Sequence, residues 1–341
     1  MADAPARFPI GLNTYSIRAF RWPDLKLIEY AASLKLDAIF LQDSVDPATD
    51  RPEHWPEVKA AATAAGLHLE TGTGASLPAA PDRFDASVAN LRNAIRRAAG
   101  MGSPVVRTLA ATDRAHLPPG PVESHIEAMV KVLRAVRTQT MDAGLKIAIE
   151  NHKDLLCRET RRLIEQAGTE FVGSYLDTGN PVFVMEDPME TVETLGPVAV
   201  TFHLRDSVVY EARGGIAVQW VPLGEGVVDF RRIVARAREL MPASVYIYIK
   251  PITGRPPEIL PVYNPAFWNG YPDKAASSFA RFLALAKSGH PYEREMVVED
   301  VPGRSNLAEY AAALRYQQRD HLERSIAYAK KELDLGVRWR G

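Results

Sequence analysis

Three short apolar runs end on side chains that can bind a metal ion. They are residues 145–152 (LKIAIENH), 171–180 (FVGSYLDTGN) and 198–206 (VAVTFHLRD). Each run reads as a β-strand, and the strand ends carry Glu150, Asp177 and His203. If the strands are parallel neighbours, their carboxyl ends meet at one rim, where the two carboxylates and the imidazole converge. This mixed set of oxygen and nitrogen ligands suits one divalent ion, Mn²⁺, Mg²⁺, Co²⁺ or Zn²⁺, and discriminates little among them.

Polar residues at other predicted strand ends are candidates for substrate binding and proton transfer. His152 leaves the rim on the same side as the carboxylate two residues before it, and is either a general acid or base or a solvent-facing loop histidine. Arg107, at the end of the fourth strand, suits a forked contact with a substrate carboxylate or phosphate, or a buried salt bridge. Glu70 and Arg205 are candidate substrate contacts, with a structural role at the rim as the alternative. Asp206 either orients a metal ligand or holds the arginine before it.

Strand-like runs alternate with amphipathic helical stretches along most of the chain. The predicted strands are residues 9–14, 37–42, 67–71, 104–109, 145–151, 171–177, 198–204 and 244–250. Strands that alternate with helices imply right-handed parallel crossovers, and eight of them favour an α/β fold closed into a (β/α)8 TIM barrel. An open doubly wound sheet is the alternative, which the sequence disfavours because no Gly-rich dinucleotide motif follows any strand.

Two long segments depart from a minimal barrel. Residues 207–228 read as a hairpin that turns at Gly214 and Gly215. Residues 251–273 are rich in proline and aromatic residues and are too long for a plain connection. Because disordered segments seldom carry aromatic residues, we predict an ordered lid in which Trp268 covers the substrate.

The predicted elements divide the chain into two parts. A catalytic barrel spans residues 1–290, and a tail spans residues 291–341. The tail contains an amphipathic, charge-laced stretch at residues 306–335, which predicts a long helix. We expect this helix to pack on the barrel or on a second subunit.

The composition is that of an ordinary globular protein. Lysine and arginine number 41, and aspartate and glutamate 42, a formal balance of 41 − 42 = −1. Duplex-binding proteins normally present a net basic face, so we expect no nucleic-acid partner. The single cysteine, Cys157, excludes an internal disulfide and a thiolate metal cluster. The amino terminus lacks the features of a signal peptide and no run reaches membrane-spanning length, so we expect a cytoplasmic protein without membrane contact.

Four short motifs follow one another at the predicted strand ends and beyond. They are Glu150-Asn151-His152, Leu176-Asp177-Thr178-Gly179-Asn180, His203-Leu204-Arg205-Asp206, and Gly224-Glu225-Gly226 with Asp229-Phe230 behind. In this order and spacing they resemble the sugar-phosphate isomerase/epimerase superfamily with the xylose-isomerase-like TIM barrel, roughly from Gly11 to Lys287. The resemblance implies the fold and a metal site and says little about the substrate.

Three further segments resemble a narrower branch of that superfamily. They are residues 252–257 (ITGRPP) with Phe267-Trp268, residues 279–282 (FARF) and residues 317–329. The branch includes lyases that act on oxidised sugars, such as 3-oxo-isoapionate decarboxylases and C-glycoside deglycosidase subunits. The resemblance therefore implies an oxidised carbohydrate as substrate.

The chain departs from the superfamily pattern at the end of the eighth strand. The superfamily usually places a glutamate there, which is the fourth metal ligand and, in epimerases, the second base. Residues 245–250 (VYIYIK) put Lys250 at that position, unless the register slips by one and the lysine faces solvent. A protonated ammonium has no lone pair for a metal, so three protein ligands and open positions remain. Lys250 can instead anchor a carboxylate, stabilise an enolate or deliver a proton.

These features favour a lyase that acts on a small oxidised sugar or 3-oxo sugar acid. In this hypothesis one divalent ion chelates the ketone, carbon dioxide or a β-substituent departs to leave an enediolate or enolate, and His152 or Lys250 returns a proton to carbon. Isomerisation or epimerisation with Glu150 as base is the alternative, and a non-catalytic sugar-binding barrel is a third. The DNA-repair endonucleases that share the barrel need more metal ligands and a basic groove, and neither is evident. We expect a small-molecule substrate and a homo-oligomer.

Overall fold

Eight parallel strands close into a barrel in the part of the chain that the computed structural model describes, residues 8–42, 46–75, 77, 81–301 and 307–341. The strands are β1 (Ile10–Asn13), β2 (Ala38–Gln42), β3 (His68–Ala75), β4 (Val105–Leu109), β5 (Lys146–Glu150), β6 (Val172–Asp177), β7 (Ala199–Leu204) and β10 (Ile247–Ile249). Strands β1 to β7 neighbour one another in chain order, and β10 closes the barrel between β7 and β1. The predicted TIM barrel is therefore confirmed, and each of the eight predicted strands overlaps one of these.

Helices follow the strands and cover the outside of the barrel. They are α1 (Asp24–Ser33), α2 (Trp55–Ala64), α3 (Phe84–Met101), α4 (Val122–Ala135), α5 (Arg137–Asp142), α6 (Cys157–Ala167), α7 (Pro188–Leu195), α8 (Phe230–Leu240), α9 (Ala276–Ser288) and α10 (Ala308–Lys331). Their ends follow ordinary capping rules. For example, Asp187 accepts a hydrogen bond from the Met189 backbone N–H at the start of α7, and Gly102 ends α3 at φ 77°.

Aromatic side chains fill the barrel interior. Phe40, Tyr175 and Tyr248 are fully buried there, and edge-to-face contacts of 5.7 Å between ring centroids join Phe40 to both tyrosines. Both faces of the barrel strands are thus buried, which explains why their sequences are almost continuously apolar. Glu150 and Asp177 are the last residues of β5 and β6, at the carboxyl end of the barrel.

A second, three-stranded antiparallel sheet stands over the carboxyl end of the barrel. Strands β8 (Asp206–Ala212) and β9 (Gly215–Val221) form the predicted hairpin, and Gly214 turns it at φ 91°. Strand β11 (Glu258–Leu260) pairs with β9 on the other side. Part of the segment predicted as a lid is therefore a strand of this sheet.

Helix α10 and the residues that follow it contact the barrel. Helix α10 buries Leu322, Ile326 and Ala329 in the apolar core that also contains β1 and β10. Beyond the helix, the Asp37 carboxylate accepts backbone N–H groups from Ile10, Val337 and Arg338 at 2.8–3.0 Å. No helix in the described ranges is long and apolar enough to span a membrane.

Candidate active site

The carboxyl ends of three barrel strands bring a buried charge network together. Glu150 ends β5, Asp177 ends β6, and Lys250 directly follows β10. The Lys250 ammonium lies 2.9 Å from Glu150 Oε1 and 3.3 Å from Asp177 Oδ2. All three side chains are at least 96% buried. We call this network, with the two arginines described next, the floor.

Two arginines complete the floor, one on each carboxylate. Arg107 from β4 donates to Glu150 Oε2 at 2.5 Å, and Arg205 Nη2 lies 3.1 Å from Asp177 Oδ2. Glycines leave room for both arginines, since a Cβ at position 72 would lie 2.5 Å from Arg107 Cβ and one at position 179 would lie 2.6 Å from Arg205 Cγ. Three cations thus surround two carboxylates, so the floor carries a formal charge of 3 − 2 = +1.

Asn180 links the two halves of the floor. Its amide nitrogen donates to Glu150 Oε1 at 3.1 Å, and its oxygen accepts from Arg205 at 2.9 Å. Asn151 exchanges two hydrogen bonds with the backbone of Asp177, at 2.8 and 2.9 Å. These amides hold the Glu150 side chain and the Asp177 backbone in place.

The floor also sets the protonation states of its members. Burial raises the pKa of Glu150, but Arg107 and Lys250 outweigh that effect and hold it well below the usual value. Burial, together with the charge of Arg205, lowers the pKa of Lys250 to about 8, although Glu150 and Asp177 oppose the shift. Lys250 is therefore a charged group whose proton is held less tightly than that of an ordinary lysine.

His203 packs into the aromatic interior rather than onto the floor carboxylates. Its ring stacks on Tyr175 with centroids 3.7 Å apart and on Tyr248 at 4.8 Å. Its Nε2 lies 3.2 Å from Thr201 Oγ1, while Nδ1 is buried without a hydrogen-bond partner. Burial, with the charge of Lys250, lowers the pKa of His203 well below its ordinary value, so the ring is neutral.

The arrangement does not fit a divalent cation. Among the described residues, two groups of three have ligand atoms within 4.8 Å of one another, Asp24 with Asp46 and His54, and Cys157 with Glu186 and Glu190. Glu150, Asp177 and His203 do not form such a group. A cation between the two carboxylates would meet the ammonium of Lys250 there, and the two arginines already neutralise the oxygens. The metal site at Glu150, Asp177 and His203 stays a prediction.

A cavity of about 740 Å³ opens above the floor. Arg107, Arg205 and Lys250 line it. Arg107 forms the buried salt bridge that was its predicted alternative, and a substrate contact for it and for Arg205 stays a prediction. Phe183 and Trp220 line its wall, with ring centroids 4.8 Å apart. A volume of this size suits a small organic ligand.

His152 also lines the cavity, next to the floor. Its Nδ1 lies 2.7 Å from the Thr112 carbonyl oxygen, which only accepts, so Nδ1 carries the hydrogen and Nε2 carries the lone pair. Burial lowers the pKa of His152 to about 3, an effect that Glu150 opposes and Arg107 reinforces. A neutral imidazole in this tautomer accepts hydrogen bonds and does not serve as a proton donor.

Two residues predicted to contact substrate do not line this cavity. Glu70 is buried lower in the barrel, where one carboxylate oxygen lies 3.2 Å from His68 Nε2. Trp268 donates to the Val262 carbonyl at 2.9 Å and packs edge-on against Phe279. Trp220 from the β9 strand provides the aromatic wall instead.

Asp206 has a different partner from the one predicted. Its carboxylate accepts backbone N–H groups from Ser207, Gly224, Gly226 and Val228 at 2.8–3.2 Å. It therefore fastens the loop between β9 and α8 onto the end of β7, and it orients neither a metal ligand nor its neighbouring arginine.

Arg255 and Trp220 are two of the cavity residues that the sequence did not predict. Trp220 lies in the predicted hairpin, and Arg255 lies in the ITGRPP motif. The motif itself was the available signal, because a lone arginine between glycine and two prolines sits on a stiff backbone.

Comparison with known proteins places the chain in a family. The family model described as xylose isomerase-like TIM barrel matches residues 28–245, more than half of the chain. The chain therefore belongs to the xylose isomerase-like TIM barrel family. A curated relative, the uncharacterized protein YihM of Escherichia coli (strain K12), is 26% identical over 99 residues, and the match covers 29% of this chain and 30% of that protein.

Solved structures share the fold at low sequence identity. A D-psicose 3-epimerase solved in the presence of D-fructose aligns with a TM-score of 0.63 and 15% identity, over 95% of this chain and 99% of that one. The probable 3-DHS dehydratase AsbF from Bacillus anthracis has a TM-score of 0.56 and 15% identity, over 71% and 92% of the two chains. The IOLI protein with a bound zinc atom has a TM-score of 0.57 and 14% identity, over 81% and 96%. Proteins of this fold thus include a sugar epimerase, a dehydratase and a zinc-binding protein.

Proposed function

We propose that the chain is a lyase that acts on a small oxidised sugar acid, such as a 3-oxo sugar acid, through an enolate. The observation that carries the proposal is the position of Lys250, whose ammonium lies between two buried carboxylates at the base of the cavity. With the two arginines it gives the floor a net positive charge. A floor of this kind favours an anionic substrate over a neutral sugar.

The floor suits a reaction in which negative charge moves onto a substrate oxygen. In decarboxylation of a 3-oxo acid, the bond from carbon to the carboxylate breaks, carbon dioxide leaves, and the electron pair becomes an enolate. The ammonium and guanidinium groups stabilise the enolate oxygen in a site shielded from water. The Lys250 ammonium then gives a proton to carbon, which restores the ketone and leaves the neutral amine to be reprotonated from solvent.

Lys250 is the better proton donor of the two groups in reach. Its pKa of about 8 lies near neutral pH, where an acid is both protonated and able to release its proton. His152, with a pKa of about 3, has no proton to give at that pH. We assign proton delivery to Lys250 and hydrogen-bond acceptance to His152.

The alternative of isomerisation or epimerisation needs a base strong enough to remove a proton from carbon. Glu150 is the candidate, but its neighbours hold its pKa well below the usual value, so it is a weak base. We therefore rank isomerisation or epimerisation second.

That the protein forms a homo-oligomer stays a prediction.

The test compares two buried lysines. Lys250→Met should lower the rate of carbon dioxide or leaving-group release from a panel of 3-oxo sugar acids by about a hundredfold or more, because one preorganised electrostatic group acts on that scale. Lys274→Met is the matched control, since Lys274 is also buried and lies 3.6 Å from Glu186, and it is absent from the cavity lining. Both variants should melt as cooperative proteins. Full activity of Lys250→Met, or faster interconversion of neutral ketoses than consumption of any keto acid, would replace the lyase with the isomerase.

A further inference from the structure

Arg255 differs from the other charged side chains that line the cavity. The others each have a partner of opposite charge or a hydrogen-bonded histidine: Arg107 with Glu150, Lys250 with Glu150 and Asp177, Arg205 with Asp177, Lys153 with Glu258 at 2.8 Å, and Asp113 with His116 at 2.6 Å. Within the described part of the chain, no carboxylate forms an ion pair with Arg255. Among the described residues, this positive charge on the cavity wall therefore has no counter-ion.

One end of this guanidinium is closed off from water as well. Its Nη1 is buried and has no hydrogen-bond partner among the described residues. A buried donor without an acceptor costs free energy, so this end of the guanidinium is held inside the protein at a cost. The rest of the side chain is partly exposed and lines the cavity, where an oxyanion can bind the accessible edge of the guanidinium, whose planar fork matches phosphate and carboxylate oxygens.

The backbone holds Arg255 in place independently of its side chain. Gln219 donates to the Arg255 carbonyl at 2.8 Å, and the Asp300 backbone N–H donates to the Gly254 carbonyl at 2.7 Å. The Thr253 hydroxyl lies 2.6 Å from His321 Nδ1 on helix α10. The guanidinium is therefore presented on a fixed loop, so binding to it requires little ordering.

Neighbouring guanidinium groups make the surroundings of Arg255 more positive, which favours a bound anion. Burial lowers the pKa of Arg18 to about 10, and after the opposing effect of Tyr15 the charges of Arg255 and Arg205 lower it further. Burial likewise lowers the pKa of Arg255, with Arg205 contributing and Tyr15 opposing. The three guanidinium groups therefore repel one another, and whereas Arg18 is paired with Asp300 and Arg205 with Asp177, no described carboxylate pairs with Arg255. A bound oxyanion would relieve that repulsion.

We propose that Arg255 binds a second oxyanion of the substrate, a phosphate ester or a second carboxylate, distinct from the group held at the floor. The substrate is then a sugar acid with two anionic groups. The floor has a net charge of +1 and Arg255 is a separate cation of the cavity lining, so each offers a place for one of the two anionic groups. This inference rests on the proposed function, because the first anion is the one assigned to the floor.

Binding of three stable probes tests the second site without an assay of turnover. Gluconate has one carboxylate, glucarate has two, and phosphogluconate has a carboxylate and a phosphate. By titration calorimetry, the wild-type protein should bind glucarate or phosphogluconate about ten- to a hundredfold more tightly than gluconate, the range of a hydrogen bond to a charged group. Arg255→Met should bring that ratio close to one, and Arg255→Lys should retain part of it.

The controls separate this inference from the proposed function. Arg213→Met, at the exposed turn of the β8–β9 hairpin, should bind all three probes as the wild type does. Lys250→Met should weaken binding of all three probes by a similar factor, since each probe keeps its first carboxylate.

An unchanged affinity ratio in Arg255→Met, or no preference in the wild type, overturns the second site and leaves the lyase proposal standing. Normal binding and turnover in Lys250→Met, with the Arg255 effect present, overturns the lyase and leaves the second site. A preference for phosphogluconate alone identifies the second group as phosphate, and equal preference for glucarate identifies a carboxylate; both support the inference.

Discussion

Two sets of buried carboxylates at the same end of the barrel are stabilised by different donors. Asp206 accepts four backbone N–H groups, whereas Glu150 and Asp177 contact the cationic side chains of Lys250, Arg107 and Arg205. Backbone donors are neutral, fixed by the fold and satisfied by the one carboxylate. Side-chain cations leave a net formal charge beside the cavity. The first solution holds a loop, and the second prepares a surface for a ligand.

The largest effect that this comparison predicts is on stability. Asp206→Ala leaves four backbone N–H groups without their acceptor, so the free energy of unfolding should fall by about 3 kcal/mol or more. Asp229→Ala is the matched control, because Asp229 caps helix α8 through one backbone N–H, that of Arg232 at 3.1 Å, and should cost only about 1 kcal/mol. Urea unfolding measures both. Equal losses in the two variants would mean that Asp206 does not fasten its loop.

The floor should acquire metal affinity through one substitution. Lys250→Glu replaces the ammonium with a third carboxylate, and we expect Mn²⁺ to bind about a hundredfold more tightly than to the wild type, because affinity in such sites follows ligand charge. Lys250→Met removes the cation without adding a ligand and should gain much less. Calorimetry with Mn²⁺ and the metal content of the purified proteins are the measurements. If the wild-type protein instead holds one metal ion per chain tightly, the three-ligand site predicted from the sequence is present.

The smallest effect is a pH dependence of turnover. If the Lys250 ammonium is needed, kcat/KM should fall as pH rises through about 8, roughly tenfold per pH unit, because the neutral amine replaces it. A sugar-acid carboxylate does not titrate in that range. Lys250→Arg keeps its charge, so its lower activity should lose this descending limb. A wild-type profile that stays flat to pH 10 would contradict the role given to Lys250.

The sequence predicted the barrel and most of the floor for physical reasons. Eight strand-like runs that alternate with helices leave few topologies, and parallel strand ends must share one rim. Glu150, Asp177, Arg107 and Lys250 follow from that rule, and they meet as expected.

The sequence could not predict which side chains meet above that rim. The register of β6 against β7 shifts between Ser174 and Tyr175, and His203 enters the aromatic interior through a stacking contact that depends on residues from three strands. The choice of Trp220 over Trp268 depends on how β11 docks onto β9, which is a tertiary contact without a local signal. Such long-range placements are the part of a fold that local patterns do not specify.

Strand β11 gives the cavity wall a property that a mobile lid would not have. It pairs with β9 through three residue positions, and it lies so close that a Cβ at position 215 would be 1.9 Å from the Leu260 carbonyl oxygen. This part of the wall is ordered during folding, so the substrate does not have to supply the conformational entropy of ordering it, about 1–2 kcal/mol per residue. The same stiffness limits the range of molecules that enter. A preformed cavity wall of this kind favours a ligand that matches its shape. It disfavours larger molecules because the wall does not widen.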